Sequence, residues 1–405
     1  MKRILFVDDE SHVLEALERM LFAMQGQWDM RFAGSGAEAL QFLEAEPFDL
    51  IVSDMRMPVM DGAALMAEVT RLYPYTVRFV LTGQSDKETV FRSMGYAHQF
   101  LTKPCDSKLL KSAIQRAFAI RDALGGTEVG QMVSQIDSLP ALPDAYSRLL
   151  AELASPEASL TAVGKIVETD MAMTAKLLQL ANSAFFGLRQ RVSSAAQAVS
   201  FLGMETVKAL VLMVGVFAQH ADKKHSSKLP LDYLWNHSLM VGALAEAIAK
   251  CLPSSPQIAT DSFASGLLHD CGMLILAQCG GTSYENVLDI VRRDRVRVDV
   301  QERLELGCTH GEVGGYLLGI WGLPDAVVEA VAFHHDPGRS SNSSFGALTA
   351  VHVANSFAHA FEEGSLESGT AFLDMTYLHR LGLTNKIAEW REHCLAIQKT
   401  AGEQG

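Results

Sequence analysis

Four apolar runs in the N-terminal quarter of this chain each end in a side chain that can handle a phosphoryl group. Ile4-Leu5-Phe6-Val7 ends in Asp8-Asp9, and Leu50-Ile51-Val52-Ser53 ends in Asp54. Val77-Arg78-Phe79-Val80-Leu81 ends in Thr82, and Phe100-Leu101-Thr102 ends in Lys103-Pro104. Short apolar, β-branched runs of this kind are strands. In an open parallel sheet the C-terminal strand ends line one crevice, where such folds place their sites. Three carboxylates gathered there call for a hard cation bound through oxygen, most simply Mg²⁺. A carboxylate beside Mg²⁺, with an amine and a hydroxyl placed to hold phosphoryl oxygens, is an acceptor for phosphoryl transfer.

The second half carries a different set: His237, His269-Asp270, His310 and His334-His335. Each lies in or at the edge of an apolar helical pattern. His237 follows Leu234-Trp235 on a helix through Leu239, Val241 and Leu244, and His269-Asp270 closes a helix over 263–268. His310-Gly311-Glu312 begins one helix, and His334-His335-Asp336 ends another. Adjacent His and Asp cannot share one helix face, but at a helix end they can reach one ion from different angles. Mixed nitrogen and oxygen ligands suit a transition metal. A single histidine of this kind is more often a core or capping residue; six together point to a metal-site ancestry.

Length and composition frame both sets. A chain of 405 residues holds two or three domains. Its 48% hydrophobic and 20% charged content is globular. A net charge of −13 argues against nucleic acid as a partner. The basic cluster Lys223-Lys224-His225 with Lys228 is short and reads as a solvated loop. Cysteines at 105, 251, 271, 279, 308 and 394 form no C-x-x-C pair and no zinc spacing, so free thiols in a reducing compartment are expected. Asp8-Asp9-Glu10 interrupts the first apolar run too early for a signal peptide. The run Leu210 to Ala218 is about half the length needed to cross a bilayer. The expectation is a cytoplasmic protein that makes no membrane contact.

The elements that position these residues change character along the chain. Residues 1–122 alternate strand and helix patterns, the grammar of a doubly wound parallel sheet. Their last helix starts near Asp106-Ser107. Gly125-Gly126-Thr127 then breaks the pattern, making 123–138 the expected linker. From Leu139 onward only helix-period segments follow, beginning with the rigid lead-in Leu139-Pro140-Ala141-Leu142-Pro143. Helices are expected from Asp144, after Ser159, over 171–181, over 195–202 up to Gly203, and over 205–219. No internal repeat is visible. Gly338 through Ser344 reads as a flexible loop.

On these residues the N-terminal part resembles the receiver domain of bacterial response regulators, in order, spacing and residue type. The resemblance implies a five-stranded α/β domain with Asp54 as phosphoacceptor and Asp8 and Asp9 as the acidic pair. Asp9 would bind Mg²⁺ directly, with Asp54 and the backbone carbonyl of Arg56 as further ligands. Thr82 takes the place of the switch hydroxyl, Lys103 of the ion-pairing lysine with a cis bond to Pro104, and Phe100 of the switch aromatic.

Residues from 135 to about 360 resemble the HD superfamily of metal-dependent phosphohydrolases, and most of all its HDOD branch. That rests on Leu139-Pro140-x-Leu142-Pro143, Leu177-Leu178-x-Leu180-Ala181-Asn182-Ser183-Ala184-Phe185-Phe186-Gly187 and Ala198-Val199-x-Phe201-Leu202-Gly203. It continues in Trp235-x-His237-Ser238, Gly266-Leu267-Leu268-His269-Asp270-x-Gly272 and Trp321-x-Leu323-Pro324. The resemblance implies an all-α HD-like domain over 139–360, with a helical extension over 361–405. HDOD domains look like HD folds that have lost catalysis and serve as interaction modules. Three departures agree. Asn355 stands where active HD enzymes have a second Asp, Met273 stands where the cyclic-dinucleotide branch has a Lys, and no Gly-Tyr-Pro follows His334-His335. A vestigial site of His237, His269, Asp270, His310, His334, His335 and Asn355 remains, open to Fe, Mn or Zn.

The expected function is that of a two-component response regulator, fed by a sensor histidine kinase or phosphotransfer protein and acting through an output protein bound by the HDOD domain. Receivers of this kind pair through the face carrying Phe100, so a homodimer is a further expectation. The alternative is a phospho-regulated phosphohydrolase acting on a cyclic dinucleotide or nucleotide.

Overall fold

The computed structural model describes residues 1–83, 96–124, 143–155, 157–182, 191–204, 206–207, 228–253, 255–362 and 372–402. The expected linker therefore lies almost wholly outside the described residues, as does most of the helix expected over 205–219.

Strands β1 (Lys2–Val7), β2 (Trp28–Ala33), β3 (Leu50–Asp54), β4 (Val77–Thr82) and β5 (Gln99–Thr102) form one parallel sheet in the order 2-1-3-4-5. β3 and β4 are buried along their whole length, because helices cover both faces of the sheet. Helix α1 (Ser11–Leu21) packs with α4 (Ser107–Leu124), and α2 (Gly36–Ala45) packs with α3 (Gly62–Leu72). Side chains start these helices: Ser35 accepts from the Glu38 N–H, and Asp61 accepts from the Ala64 N–H. The five-stranded doubly wound expectation is met.

The rest is helical, again as expected. It begins with α5 (Pro143–Ala154), α6 (Leu160–Val167), α7 (Met171–Ala181) and α8 (Ala195–Leu202). Ser159, Asp170 and Ser194 cap the last three, and Gly203 at φ 77° ends α8 in the left-handed region. The long hairpin of α9 (Leu231–Lys250) and α10 (Pro256–Leu268) closes tightly. A β-carbon on Gly266 would lie 2.7 Å from the Gly242 Cα. Then follow α11 (Cys271–Cys279), α12 (Gly281–Asp294), α13 (Val298–Leu306), α14 (His310–Ile320), α15 (Asp325–Phe333) and α16 (Ala347–Glu362). Helices α17 (Met375–Arg380) and α18 (Ile387–Gly402) complete the chain, with Trp390 and Cys394 of α18 buried in a cluster with Val241, Leu244 and Phe357.

Two features add to the sequence reading. The segment expected to be a flexible loop starts with a 3₁₀ turn, Pro337–Arg339, and is pinned by charge. Arg339 donates to Glu312 at 2.7 Å, and Ser340 donates to Glu329 at 2.5 Å. Helix α16 runs to Glu362, whose side chain meets His237 of the histidine site.

The sheet edge β5 is not bare. Gln99 Nε2 donates to the Ile320 carbonyl at 2.8 Å, and Gln179 Nε2 donates to the His98 carbonyl at 3.1 Å. Arg116 of α4 pairs with Asp325 at 2.6 Å and also bonds the Leu323 carbonyl. Covering a sheet edge in this way removes its tendency to pair elsewhere.

Candidate functional site

At the strand ends, β3 delivers Asp54 and β1 delivers Asp8, both buried, while Asp9 is exposed. Lys103 Nζ lies 2.6 Å from Asp54 Oδ1 and 2.7 Å from Asp8 Oδ2. Oxygens of Asp8, Asp9 and Asp54 lie within 4.8 Å of one another. Burial raises the Asp54 carboxyl above its ordinary range although Lys103 lies against it. Burial opposes the charge on Lys103 too, but hydrogen bonds to Asp54 and Asp8 outweigh it and raise its affinity for the proton. The Arg56 N–H donates to Asp54 Oδ2 at 3.2 Å, which holds the loop after β3 over the carboxylate. Thr82 is buried with its hydroxyl 3.4 Å from the Gly83 carbonyl, Phe100 is buried, and Lys103–Pro104 is cis. An oxygen cluster of this charge is consistent with a Mg²⁺ site.

The helical domain brings its histidines to one place. His237 comes from α9, His269 and Asp270 from the junction of α10 and α11, His310 from the first turn of α14. His334 and His335 follow α15, and Asn355 lies on α16. Each ring but one is held through Nδ1. His310 donates to Glu302 at 2.7 Å, His237 to Glu362 at 2.8 Å, His269 to the Gly266 carbonyl at 2.7 Å, and His334 to the Val331 carbonyl at 2.8 Å. This leaves the Nε2 atoms converging on Asp270, with His310 at 3.2 Å and His334 at 3.7 Å from Oδ1.

Metal-binding histidines are oriented through the other ring nitrogen in this way. The His269 Nε2 is buried and without a hydrogen-bond partner, although Asp270 Oδ2 is 3.2 Å away. His310 Nε2 faces His334 Nε2 at 3.3 Å and His335 Nε2 at 3.2 Å. Nitrogens facing each other attract a shared cation. Burial disfavours a charged His310, but Glu302 and Asp270 outweigh burial and draw a proton to it. Burial keeps His334 and His335 well below their ordinary values. Asp270 would be raised by burial, yet His269 and His310 hold it well below. The donor set Asp270, His310, His334 and His335 therefore fits Zn²⁺, Mn²⁺ or Fe²⁺.

His237 is placed differently, with its Nε2 3.0 Å from Asn355 Oδ1. A cavity of about 650 Å³ opens beside the cluster, lined in part by Asp270, Met273, Arg292, Arg295, Arg297 and Asn355.

The sequence alone did not single out Glu302, Glu362 or Tyr233, which donates to Glu362 at 2.5 Å. Nor did it single out the three arginines or Gln99. Charged residues on amphipathic helices carry no mark of the partner that they will meet.

Residues 4–115 match the response regulator receiver domain, and residues 139–337 match the HDOD domain. The chain belongs to the response regulators that carry a receiver domain followed by an HDOD domain. An uncharacterized protein of Treponema pallidum is 26% identical over 226 residues, 55% of this chain and 43% of that protein. The response regulator protein PilR of Pseudomonas aeruginosa is 34% identical over 122 residues, 30% of this chain and 27% of that protein. The chain thus spans less than half the length of these curated relatives. Among solved structures, the MmoQ response regulator of Methylococcus capsulatus matches 63% of this chain and 98% of its own, at 23% identity and a TM-score of 0.48. The signal receiver domain of an HD domain-containing protein from Pseudomonas fluorescens matches 29% of this chain and 94% of its own, at 31% identity and a TM-score of 0.28. No helix among the described residues is long and apolar enough to cross a membrane.

Proposed function

We propose that phosphorylation of Asp54 controls how the HDOD domain docks, and that this domain acts mainly by binding another protein. The protein works in the cytoplasm, where a sensor histidine kinase or phosphotransfer protein supplies the phosphoryl group. Asp8, Asp9, Asp54 and the Arg56 carbonyl would hold Mg²⁺, which would supply positive charge to phosphoryl oxygens. Lys103 and the Thr82 hydroxyl take those oxygens. We assign 1–122 to the receiver, 123–138 to the linker, 139–360 to the HDOD domain and 361–405 to its extension.

The observation that carries this reading is the continuity of β5. One end of the strand, Gln99, bonds the helical domain at Ile320, and Lys103 just past the other end bonds Asp54. When Thr82 turns toward the phosphoryl group, Phe100 follows and the edge at Gln99 shifts. A receiver homodimer would use this same face, so pairing and docking compete.

Acetyl phosphate with Mg²⁺ should add one phosphoryl group to the wild type and none to Asp54→Asn, by intact mass. Equal labelling of the variant rules out Asp54. Beryllofluoride should then increase the radius of gyration of the whole protein in solution scattering; an unchanged radius rules out control by docking.

A second reading, a metal-dependent phosphohydrolase, is favoured by the anchored histidines and by the arginines at the cavity mouth, which offer the positive charge that Met273 lacks. Asn355 weighs against it, since a neutral amide adds no charge to the ligand set. Metal-loaded protein should leave a cyclic dinucleotide intact. Turnover at an ordinary enzymatic rate, lost in His269→Ala, would make the second reading the right one.

A further inference from the structure

We propose that the C-terminal domain is also an input to the receiver. A transition-metal ion held by Asp270, His310, His334 and His335 weakens the phosphorylated state of Asp54, acting through α14. This rests on the metal reading of the histidine cluster.

Helix α14 runs from the histidine site to the receiver edge. Its first residue, His310, lies in the cluster, and the carbonyl of its last, Ile320, accepts the Gln99 bond. Its length of about 15 Å is thus the whole span from the histidine site to the receiver edge. From Gln99 the strand β5 leads to Lys103, whose backbone N–H donates to the Thr82 carbonyl at 2.8 Å and whose amine holds Asp54.

The helix cannot bend locally to absorb a displacement. All eleven of its residues are buried. Its glycines lie against neighbouring backbones: a β-carbon would come within 3.0 Å of the Ala332 carbonyl oxygen at Gly311 and within 3.1 Å of the Gly272 nitrogen at Gly314. At Gly319 it would lie 2.6 Å from Ile120 of the receiver. A close-packed helix of this kind shifts as a unit.

The Nε2 atoms that face each other at His310, His334 and His335 supply the driving force. A shared cation draws them together and fixes the start of α14 in the docked arrangement. In that arrangement the Thr82 hydroxyl points to the Gly83 carbonyl, 3.4 Å away. The ion thus favours the receiver conformation that does not grip a phosphoryl group. Because the coupling is an equilibrium property, it must be reciprocal.

The test titrates the full chain with beryllofluoride in excess Mg²⁺, with and without Zn²⁺, after the bound zinc has been counted by elemental analysis. Zinc should weaken beryllofluoride binding by about fivefold or more, and beryllofluoride should weaken zinc binding by the same factor. His334→Ala should lose both zinc and the effect. Gln99→Ala combined with Arg116→Ala should keep both ligands and lose the coupling. If no zinc binds, the metal reading fails and this inference with it. If zinc binds and beryllofluoride affinity changes less than about twofold, the metal reading stands and the coupling is overturned. An effect that survives in His334→Ala or in the Gln99/Arg116 pair also overturns it.

Discussion

Gly62 lies against the backbone of Asp54 so closely that a β-carbon on it would sit 2.2 Å from the Asp54 carbonyl oxygen. Its N–H donates to the Met55 carbonyl at 2.9 Å, so the start of α3 is fastened to the end of β3. Glycine here sets where Asp54 stands, the side chain that we propose accepts the phosphoryl group. Neither contacting atom is the tip of a flexible side chain, so any larger residue must push the strand end aside. Gly62→Ala should destabilise the receiver by about 1–3 kcal/mol, as overpacking does. It should also slow labelling of Asp54 by acetyl phosphate. Urea unfolding and intact mass check the two parts, and wild-type behaviour in both would show that the loop yields freely.

His98 ties the sheet edge to pH. Its Nδ1 accepts from the Arg78 N–H at 3.0 Å, and its carbonyl accepts from Gln179 of the helical domain. Burial, then Arg78 and Lys176, keep the ring well below its ordinary value of 6.5. Between the two values the unfolded chain binds more protons than the folded one, so stability rises with pH there. The contribution is complete above about 6.5 and is lost as pH falls from there toward the folded value. Denaturation midpoints should therefore drop on acidification below that point. His98→Asn keeps an acceptor for Arg78 and removes the titration, so its midpoint should fall less. Parallel pH profiles for the two proteins would remove His98 from the account.

The receiver site was legible because chemistry and strand pattern coincide in sequence. Asp8, Asp54, Thr82 and Lys103 each end an apolar run, and parallel pairing then brings those ends together without further information. The helical domain was legible as helices, since Ser159 and Gly203 mark their ends locally. What joins the helices was not. His237 and Glu362 are 125 positions apart, and Gln99 and Ile320 are 221 apart. Such pairs depend on which helix faces meet, which no local pattern records. At Gly338 to Ser344 composition showed a loop but not the distant Glu312 and Glu329 that Arg339 and Ser340 meet.

The domain contacts bear on how the chain comes apart. Limited proteolysis should cut first between 123 and 138, the segment that we assign to the linker. The two products should nevertheless elute together from a sizing column, held by the Gln99, Gln179 and Arg116 contacts. Gln99→Ala with Arg116→Ala should let them separate. First cleavage inside either product, or immediate separation in the wild type, would contradict this account.

Asn355 brings a neutral amide to the histidine cluster. Its Oδ1 lies 3.0 Å from His237 Nε2, while Glu362 holds the other nitrogen of the ring at 2.8 Å. Both ring nitrogens of His237 thus face acceptors. Burial opposes a charge there, yet Glu362 and Asp270 outweigh it and raise the affinity of the ring for a proton. A metal that recruits His237 competes with the proton for the ring and gains only a neutral oxygen from Asn355. An aspartate at this position supplies one unit of negative charge beside Asp270. Asn355→Asp should therefore tighten Zn²⁺ or Mn²⁺ binding by about tenfold or more and add a second bound ion per chain, both measurable by calorimetry. The double variant Asn355→Asp with Met273→Lys, which also restores an amine at the cavity floor, should bind inorganic phosphate more tightly when metal-loaded. Unchanged metal affinity in both variants would mean that Asn355 is not the missing ligand and that the proton on His237 is not what limits the site.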